Sequence, residues 1–233
     1  MESERKISVW KYPLRSMRWG LLNAMNKKGE KIMASRDDFL IGPKEKAMEA
    51  IKAGKTKEAL AYLNDVYEQF HALHDAYSND ISFLEGILAK TLGDKGYEAF
   101  ERKKVFELLG PKYERYKGMS AEQKVGAICN SMRAHYSEFH VEEDDKQFAV
   151  KITGCGAGGR LVRDGIAMRQ NAVTKKAYPW SFNRVGFPYY CAHAYFLNEL
   201  FNELGINVKI EYGRQYDDQG NKINEPCQYM VYK

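Results

Sequence analysis

The sequence predicts an α+β fold in which an N-terminal helical region packs on a small antiparallel sheet formed mainly by the C-terminal third. Two observations carry this prediction. Apolar residues recur at spacings of three and four through much of residues 44–136, which is the period of amphipathic helices. After residue 145 they alternate with polar residues in short runs, which is the period of half-buried strands. Helices first and strands later indicate α+β rather than alternating α/β.

Breaker residues and charge divide the chain into three regions. Residues 1–42 are a basic arm ending at Gly42-Pro43, residues 43–141 are helical, and residues 142–233 form a cysteine-bearing α+β region. We expect residues 42–233 to form one domain. The first 36 residues hold nine basic and three acidic side chains, whereas the whole chain has a net charge of only +5. No recognition-helix or RNA-binding signature accompanies this arm, so the sequence disfavours nucleic acid as a partner.

The helical region is predicted to contain a short helix that ends near Gly54 and a long helix that starts at Thr56. A further short helix is predicted in the arm, near Leu14–Met25. Asn79-Asp80 either breaks the long helix or caps the next one. Ser120 followed by Gln123 predicts a capping box at the start of a later helix. The long helix carries a stripe that we expect to face the core: Leu63, Val66, Phe70, Leu73 and Tyr77.

Three strands are predicted after residue 142, at residues 148–153, 206–212 and 227–232. A helix is predicted between the first two strands, from about Tyr190 to a stop at Gly205. Asp217–Asn221 is predicted to be the hairpin loop between the last two strands.

The chain carries four widely spaced cysteines, no apolar signal segment and no run of about 18 apolar residues, the length that a membrane span needs. These features predict reduced thiols in a cytoplasmic protein without a membrane segment. Cys129 lies on a helical stripe with Val125 and Met132 and is expected in the core. The sequence leaves open a homo-oligomer.

Cys155, Cys191 and Cys227 each fall at a junction between predicted elements. Cys191 is placed near a helix N-terminus, where the helix dipole would lower its pKa and enrich the thiolate; an inert buried cysteine is the alternative. His193 is a candidate acid or base. Because residues two apart on a helix point about 200° apart, the two side chains converge only if Cys191 precedes the regular helix.

Zinc is the alternative use of these residues, with Cys155, Cys191, His193 and Cys227 as ligands. No closely spaced cysteine pair is present, so our first expectation is a site without metal or other cofactor. Glu68 and His71 have the Glu-x-x-His spacing of di-iron bundles, but no second such pair follows. A core histidine paired with a nearby carboxylate is therefore expected at His74.

The run Gly154–Gly159 matches G-x-G-x-x-G after a strand. A dinucleotide site would need a second parallel strand ending in an acidic residue about 20 residues later, and residues 174–180 offer neither. The glycines are instead predicted to allow close backbone approach around Cys155. The candidates for binding an anionic substrate group or an oxyanion are the amides of this loop and one neighbouring side chain: Gly156, Gly158, Gly159 and Arg160.

The C-terminal third resembles the L-2-amino-thiazoline-4-carboxylate hydrolase-like family. The resemblance rests on a strand that runs into Cys155, a helix start centred on Cys191, and a closing Cys227-Gln228-Tyr229. That strand is Phe148–Thr153, and the other matching segments are Ile206–Arg214, the turn with Gly220, and Leu73–Tyr77. The family implies cleavage of the C–N bond of a cyclic amidine, with cysteines in the mechanism. Cys191-Ala192-His193 lacks the acidic residue that the family often has there, and the glycine-rich loop is an addition, so substrate and reaction stay open.

The leading hypothesis is a hydrolase that acts on a non-peptide C–N bond of a small, anionic molecule. Cys191 would be the nucleophile or another essential thiol, with Cys155 or Cys227 nearby and His193 as the candidate acid or base. The alternative hypothesis is a non-catalytic sensor domain that binds a ligand or zinc in the same place.

Overall fold

The computed structural model describes residues 41–214, 219, 221–223 and 225–233. The chain divides into two compact units, and the boundary in sequence falls between Glu68 and Gln69. The predicted arm helix and most of the predicted hairpin loop at residues 217–221 lie outside the described residues. The fold is α+β with a four-stranded antiparallel sheet, as the sequence predicted.

The first unit contains one short helix and the start of a long one, joined by a tight turn. Helix α1 spans Pro43–Lys52, and helix α2 begins at Thr56. Gly54 joins them with a φ of 69°, a left-handed conformation that glycine adopts without a steric penalty. Both predicted boundaries, the stop near Gly54 and the start at Thr56, are confirmed.

Helix α2 spans Thr56–Lys104 and is interrupted once, at Gly93, where φ is 67° and ψ is 174°. Asn79-Asp80 does not break it. The predicted core stripe is wrong, because Leu63, Phe70, Leu73 and Tyr77 are all exposed. In the second unit this helix instead buries small and polar residues, among them Ser78, Ser82 and Glu85.

The physical reason is a close approach of backbones. A Cβ on Gly86 would lie 3.1 Å from the Cα of Ala172, so the packed side of α2 has no room there for large side chains. Periodicity identified an amphipathic helix but could not show which side the tertiary structure would cover.

Shorter helical segments follow α2. Ser120 caps the helix Ala121–Ala134 with the predicted capping box. Its Oγ accepts a hydrogen bond from the Gln123 amide at 3.3 Å, and its own amide donates to Gln123 Oε1 at 2.9 Å. The α-helices after α2 are α3 (Gly110–Glu114), α4 (Ala121–Ala134), α5 (Gly158–Arg163), α6 (Ile166–Arg169) and α7 (His193–Leu204). A π-helical turn spans Val105–Leu109, and 3-10 turns span Arg115–Gly118, Pro179–Ser181 and Tyr189–Cys191.

The sheet has the strand order β1-β2-β4-β3. Its strands are β1 (Glu138–Glu143), β2 (Gln147–Gly154), β3 (Val208–Glu211) and β4 (Cys227–Tyr232). Sequence analysis missed β1, which falls at the end of the region it assigned to helices. This edge strand is mostly exposed and rich in charge, and only Phe139 and Val141 alternate with polar residues in it, which is a much shorter pattern than those that revealed the other strands.

The core of the second unit forms where α4 and α7 pack on the sheet. Val150, Val231 and Phe201 are almost completely buried there, and Cys129 on α4 belongs to the same core, as predicted. Helix α7 also holds the edge strand β3 directly. The Asn198 side chain donates to the Ile210 carbonyl at 2.8 Å and accepts from the Ile210 amide at 2.6 Å. Gly205 ends α7 in the left-handed conformation, as predicted.

Candidate functional site

Three cysteines that are far apart in sequence line one cleft. Cys155 directly follows β2, Cys191 closes the 3-10 turn before α7, and Cys227 is the first residue of β4. Two guanidinium groups, those of Arg184 and Arg214, also line the cleft, and no carboxylate is found among its described lining residues. All four cysteines of the chain are free thiols.

The sheet and one glycine explain this convergence. Ile152 pairs with Cys227 across β2 and β4, so the end of β2 delivers Cys155 to the same edge of the sheet. Cys191 enters from the other side, against the backbone at the start of α5. A Cβ on Gly158 would lie 2.1 Å from Cys191 Sγ, so only glycine leaves room for this sulfur.

Backbone groups next to the cleft already hold two of the sulfur atoms. The Gly159 amide donates to Cys155 Sγ at 3.3 Å, and the Gly213 amide donates to Cys227 Sγ at 3.3 Å. The Gly156 amide donates to Ser137 Oγ at 3.1 Å. Of the four residues predicted to bind an anion, only Gly159 lines the cleft.

Burial sets the ionisation of two of the cleft thiols, Cys191 and Cys227. It raises the pKa of Cys191 well above its usual value, and the neighbouring Cys155 and Cys227 thiols add to the effect. Burial, followed by Cys155, also raises the pKa of Cys227 to about 12, against the opposing hydrogen bond from Gly213. This direction is opposite to the one expected for a thiol at a helix N-terminus. The resting Cys191 and Cys227 side chains are therefore neutral thiols at pH 7.

Arg160 points away from the cleft and ties α5 to α2. Its guanidinium is almost fully buried and pairs with Asp75 Oδ1 at 3.1 Å. It also donates to Asn79 Oδ1 at 2.9 Å and to the Gly156 carbonyl at 3.1 Å. Arg160 is thus engaged in holding the glycine loop against the helix, and Arg184 and Arg214 are the arginines that face the cleft.

Sequence reasoning missed Arg184 and Arg214. Arg184 lies in an irregular segment between α6 and α7, and Arg214 follows β3, so neither belongs to a periodic pattern. In the fold, Arg184 lies over the Tyr212 ring at 5.8 Å and donates to Glu225 Oε2 at 3.1 Å. The sequence shows Arg184 and Arg214 only as two separate basic residues in irregular segments. Their proximity depends on the fold, so the sequence alone could not pair them.

His193 follows Cys191 but does not line the cleft. Cys191 does precede the regular helix, which was the condition for the two side chains to converge. The Nδ1–H of His193 nevertheless donates to the Tyr190 carbonyl at 2.8 Å, and burial lowers its pKa. The neutral ring is therefore the resting form of His193.

A second polar group of residues connects the helical part to the glycine loop. His74 Nε2 lies 3.2 Å from His135 Nδ1, and His74 Nδ1 lies 3.2 Å from Asp75 Oδ1, the oxygen that also pairs with Arg160. Burial lowers the pKa of His135 to about 4, with smaller effects from His74 and His193. Both contacts are satisfied when the Nδ1–H of His74 donates to Asp75 Oδ1 and the Nδ1–H of His135 donates to His74 Nε2. The carboxylate partner predicted for His74 is confirmed as Asp75, but the His74 side chain is only partly buried rather than in the core.

A comparison with protein-family models, with curated proteins and with solved structures gives no match. The cleft is therefore interpreted from its own residues. In the described part of the chain, no three His, Cys, Asp or Glu side chains are grouped so that they could hold a metal ion. Within the same residues, no helix combines the length and apolar character required to cross a membrane.

Proposed function

We propose that the protein is a hydrolase that opens a C–N bond, of the cyclic amidine or amide type, in a small anionic molecule bound in the cysteine-lined cleft. The observation that supports the proposal is the convergence of Cys155, Cys191 and Cys227 on a cleft that also presents Arg184 and Arg214. Guanidinium groups bind carboxylates through charge-assisted hydrogen bonds, and small-molecule sites are clefts in which a few polar groups converge.

The neutral state of the Cys191 thiol suits a basic substrate. A cyclic amidine carries a basic nitrogen that accepts the Cys191 thiol proton while sulfur attacks the adjacent carbon. The C–S bond forms, the C–N bond breaks, and the nitrogen leaves with the transferred proton. Water then cleaves the resulting thioester or thioimidate and returns the proton to sulfur. Overall, one water molecule is consumed and no oxidant or reductant is needed.

The experiment compares two cysteine variants, with 2-amino-thiazoline-4-carboxylate as the first substrate and other cyclic amidine carboxylates after it. We expect Cys191→Ser to lower turnover by at least about 100-fold, because a hydroxyl is a much weaker nucleophile than a thiol. Cys129→Ser removes a thiol of the core and should retain turnover. Ring-opened product is measured by mass spectrometry, and circular dichroism checks the fold. Full turnover in Cys191→Ser would remove this thiol from the mechanism.

The arginine pair is tested separately. Arg184→Gln should raise KM about tenfold or more with a smaller effect on kcat, because it removes a charge that binds the substrate in both ground and transition states. The matched control is Arg102→Gln, on α2, whose guanidinium pairs with Glu199 away from the cleft. Binding of the cyclic amidine carboxylates is measured by protection of the thiols from alkylation. Saturable binding without turnover would favour the ligand-binding sensor domain instead.

A further inference from the structure

One side of α2 in the second unit is apolar and exposed. Phe70, Tyr77 and Leu84 are 60%, 60% and 61% exposed, and Leu73 and Ile87 are 49% and 47% exposed. Together with Asp80 these residues form what we call the outer face: Phe70, Leu73, Tyr77, Asp80, Leu84 and Ile87. Contiguous exposed apolar surface of this kind marks an interaction site in a folded protein.

The spacing within the outer face indicates what covers it. The six positions are separated by 3, 4, 3, 4 and 3 residues, and this order reads the same from either end. Two copies of the helix that cross in opposite directions therefore meet position by position. Phe70 faces Ile87 of the other copy, and Leu73 faces Leu84. An isologous interface requires such a self-complementary surface.

Asp80 provides the second observation. It is the one charged residue of the outer face, and an apolar partner would bury its carboxylate without a hydrogen bond, which is costly. In the antiparallel pairing Asp80 faces Tyr77 of the other copy, whose hydroxyl is a donor for a carboxylate. Each dimer contains this pair twice, so a second copy of the chain satisfies the group that a purely apolar partner would leave unpaired.

The area is also sufficient. Five large apolar side chains, each about half exposed, offer on the order of 500 Å² per copy before Asp80 and the flanking atoms are added. Two copies therefore remove roughly 1,000–1,200 Å² from water, which is at the lower end of the range for specific interfaces. Ile81, 43% exposed beside the outer face, adds to this area.

We propose that the outer face is a homodimer interface in which two copies of α2 pack antiparallel about a twofold axis between Tyr77 and Asp80. This interface is independent of the reaction proposed for the cleft. It assigns a partner to the apolar side of α2, which sequence periodicity had assigned to the core of the chain itself.

The first test measures the mass of the full chain in solution by sedimentation velocity and light scattering. We expect a mass of two chains for the wild type and of one chain for Leu84→Glu and for Leu73→Glu. Ala72→Glu adds the same carboxylate to the same helix at an exposed position outside the outer face, and it should stay dimeric. A monomeric wild type at all concentrations, or dissociation by Ala72→Glu as well, would overturn the proposal.

The second test determines the direction of the two helices. Leu73→Cys combined with Leu84→Cys should form disulfides between residues 73 and 84 of different copies under a thiol oxidant such as copper-phenanthroline. The two positions lie about 16 Å apart along one helix, so they cannot link within a chain. Leu73→Cys alone should not link to itself, because its partner lies a similar distance away. Efficient linkage in this single variant, mapped by peptide mass spectrometry, would contradict the antiparallel arrangement.

Discussion

Cys191 and Arg160 show how the tertiary structure decides what one side chain can do. A thiol close to a helix start is expected to ionise easily, but burial raises the pKa of Cys191 and keeps its proton in place. Arg160 is next to a glycine-rich loop, as an anion-binding residue would be, yet its charge is matched by Asp75 inside the protein. In both cases the sequence identified a chemically capable side chain. The surrounding structure then decided whether Cys191 ionises and whether the charge of Arg160 is available.

A buried acidic group lies outside the cleft. The Tyr97 hydroxyl donates a hydrogen bond to Glu85 Oε2. Lys104 Nζ lies 2.7 Å from Glu85 Oε1 and 2.6 Å from Glu101 Oε2. Burial, followed by repulsion from Glu85, raises the pKa of Glu101 to about 7 although Lys104 opposes the change. Glu85 and Glu101 share the single cation Lys104. The folded state therefore favours the protonated, uncharged form of Glu101.

This group makes stability depend on pH. In the unfolded chain Glu101 titrates near its usual value, 4.5, whereas in the folded protein its pKa is about 7. Between these values the folded state binds the proton more strongly, so this group lowers the free energy of unfolding as pH rises from about 4.5 to 7. One pKa unit corresponds to about 1.4 kcal/mol, so the loss reaches about 3 kcal/mol.

Glu101→Gln should remove that loss. We subtract the free energy of unfolding of the wild type from that of the variant. This difference is expected to increase by up to about 3 kcal/mol as the pH rises from 4.5 to 8. Urea denaturation at several pH values measures it. The comparison cancels His135, whose lowered pKa acts in the opposite direction in both proteins. A difference that is constant with pH would contradict the assignment.

At the scale of elements, close approaches between backbones explain which segments pack together. The loop after β2 passes so near the end of α4 that a Cβ on Gly156 would lie 1.9 Å from the His135 carbonyl oxygen. The sequence predicted a close approach around Cys155 from the glycines alone. It could not identify the segment that comes close, because this contact depends on the path of the whole chain.

Gly156→Ala should therefore destabilise the protein by about 2 kcal/mol or more, since the loop has to move away from α4. Gly126→Ala is the matched control in the middle of α4, where a Cβ would meet nothing within 4 Å. This variant should gain about 0.5–1 kcal/mol from helix propensity. Thermal and urea unfolding measure both. Equal effects of the two substitutions would show that the close approach does not exist in solution.

At the scale of the whole molecule, a dimer links folding to protein concentration. If α2 pairs through its outer face, the midpoint of thermal unfolding should rise by about 3 °C for a tenfold increase in wild-type concentration. Leu84→Glu should unfold at a midpoint that does not change with concentration, because its outer face is no longer complementary. Differential scanning calorimetry over a concentration series measures this. A constant midpoint for the wild type would argue against coupled dissociation and unfolding.

The sequence by itself determined the fold class, helix α1, the capping box of α4, and three of the four described strands. These features depend on spacing, capping and alternation, which are local properties of the chain. It also identified Cys155, Cys191 and Cys227 as junction residues. Only the tertiary structure decided that these thiols share a cleft with Arg184 and Arg214, that burial keeps Cys191 and Cys227 protonated, and that α2 turns its apolar side outward. Burial and convergence arise from contacts between residues far apart in sequence, which no local pattern encodes.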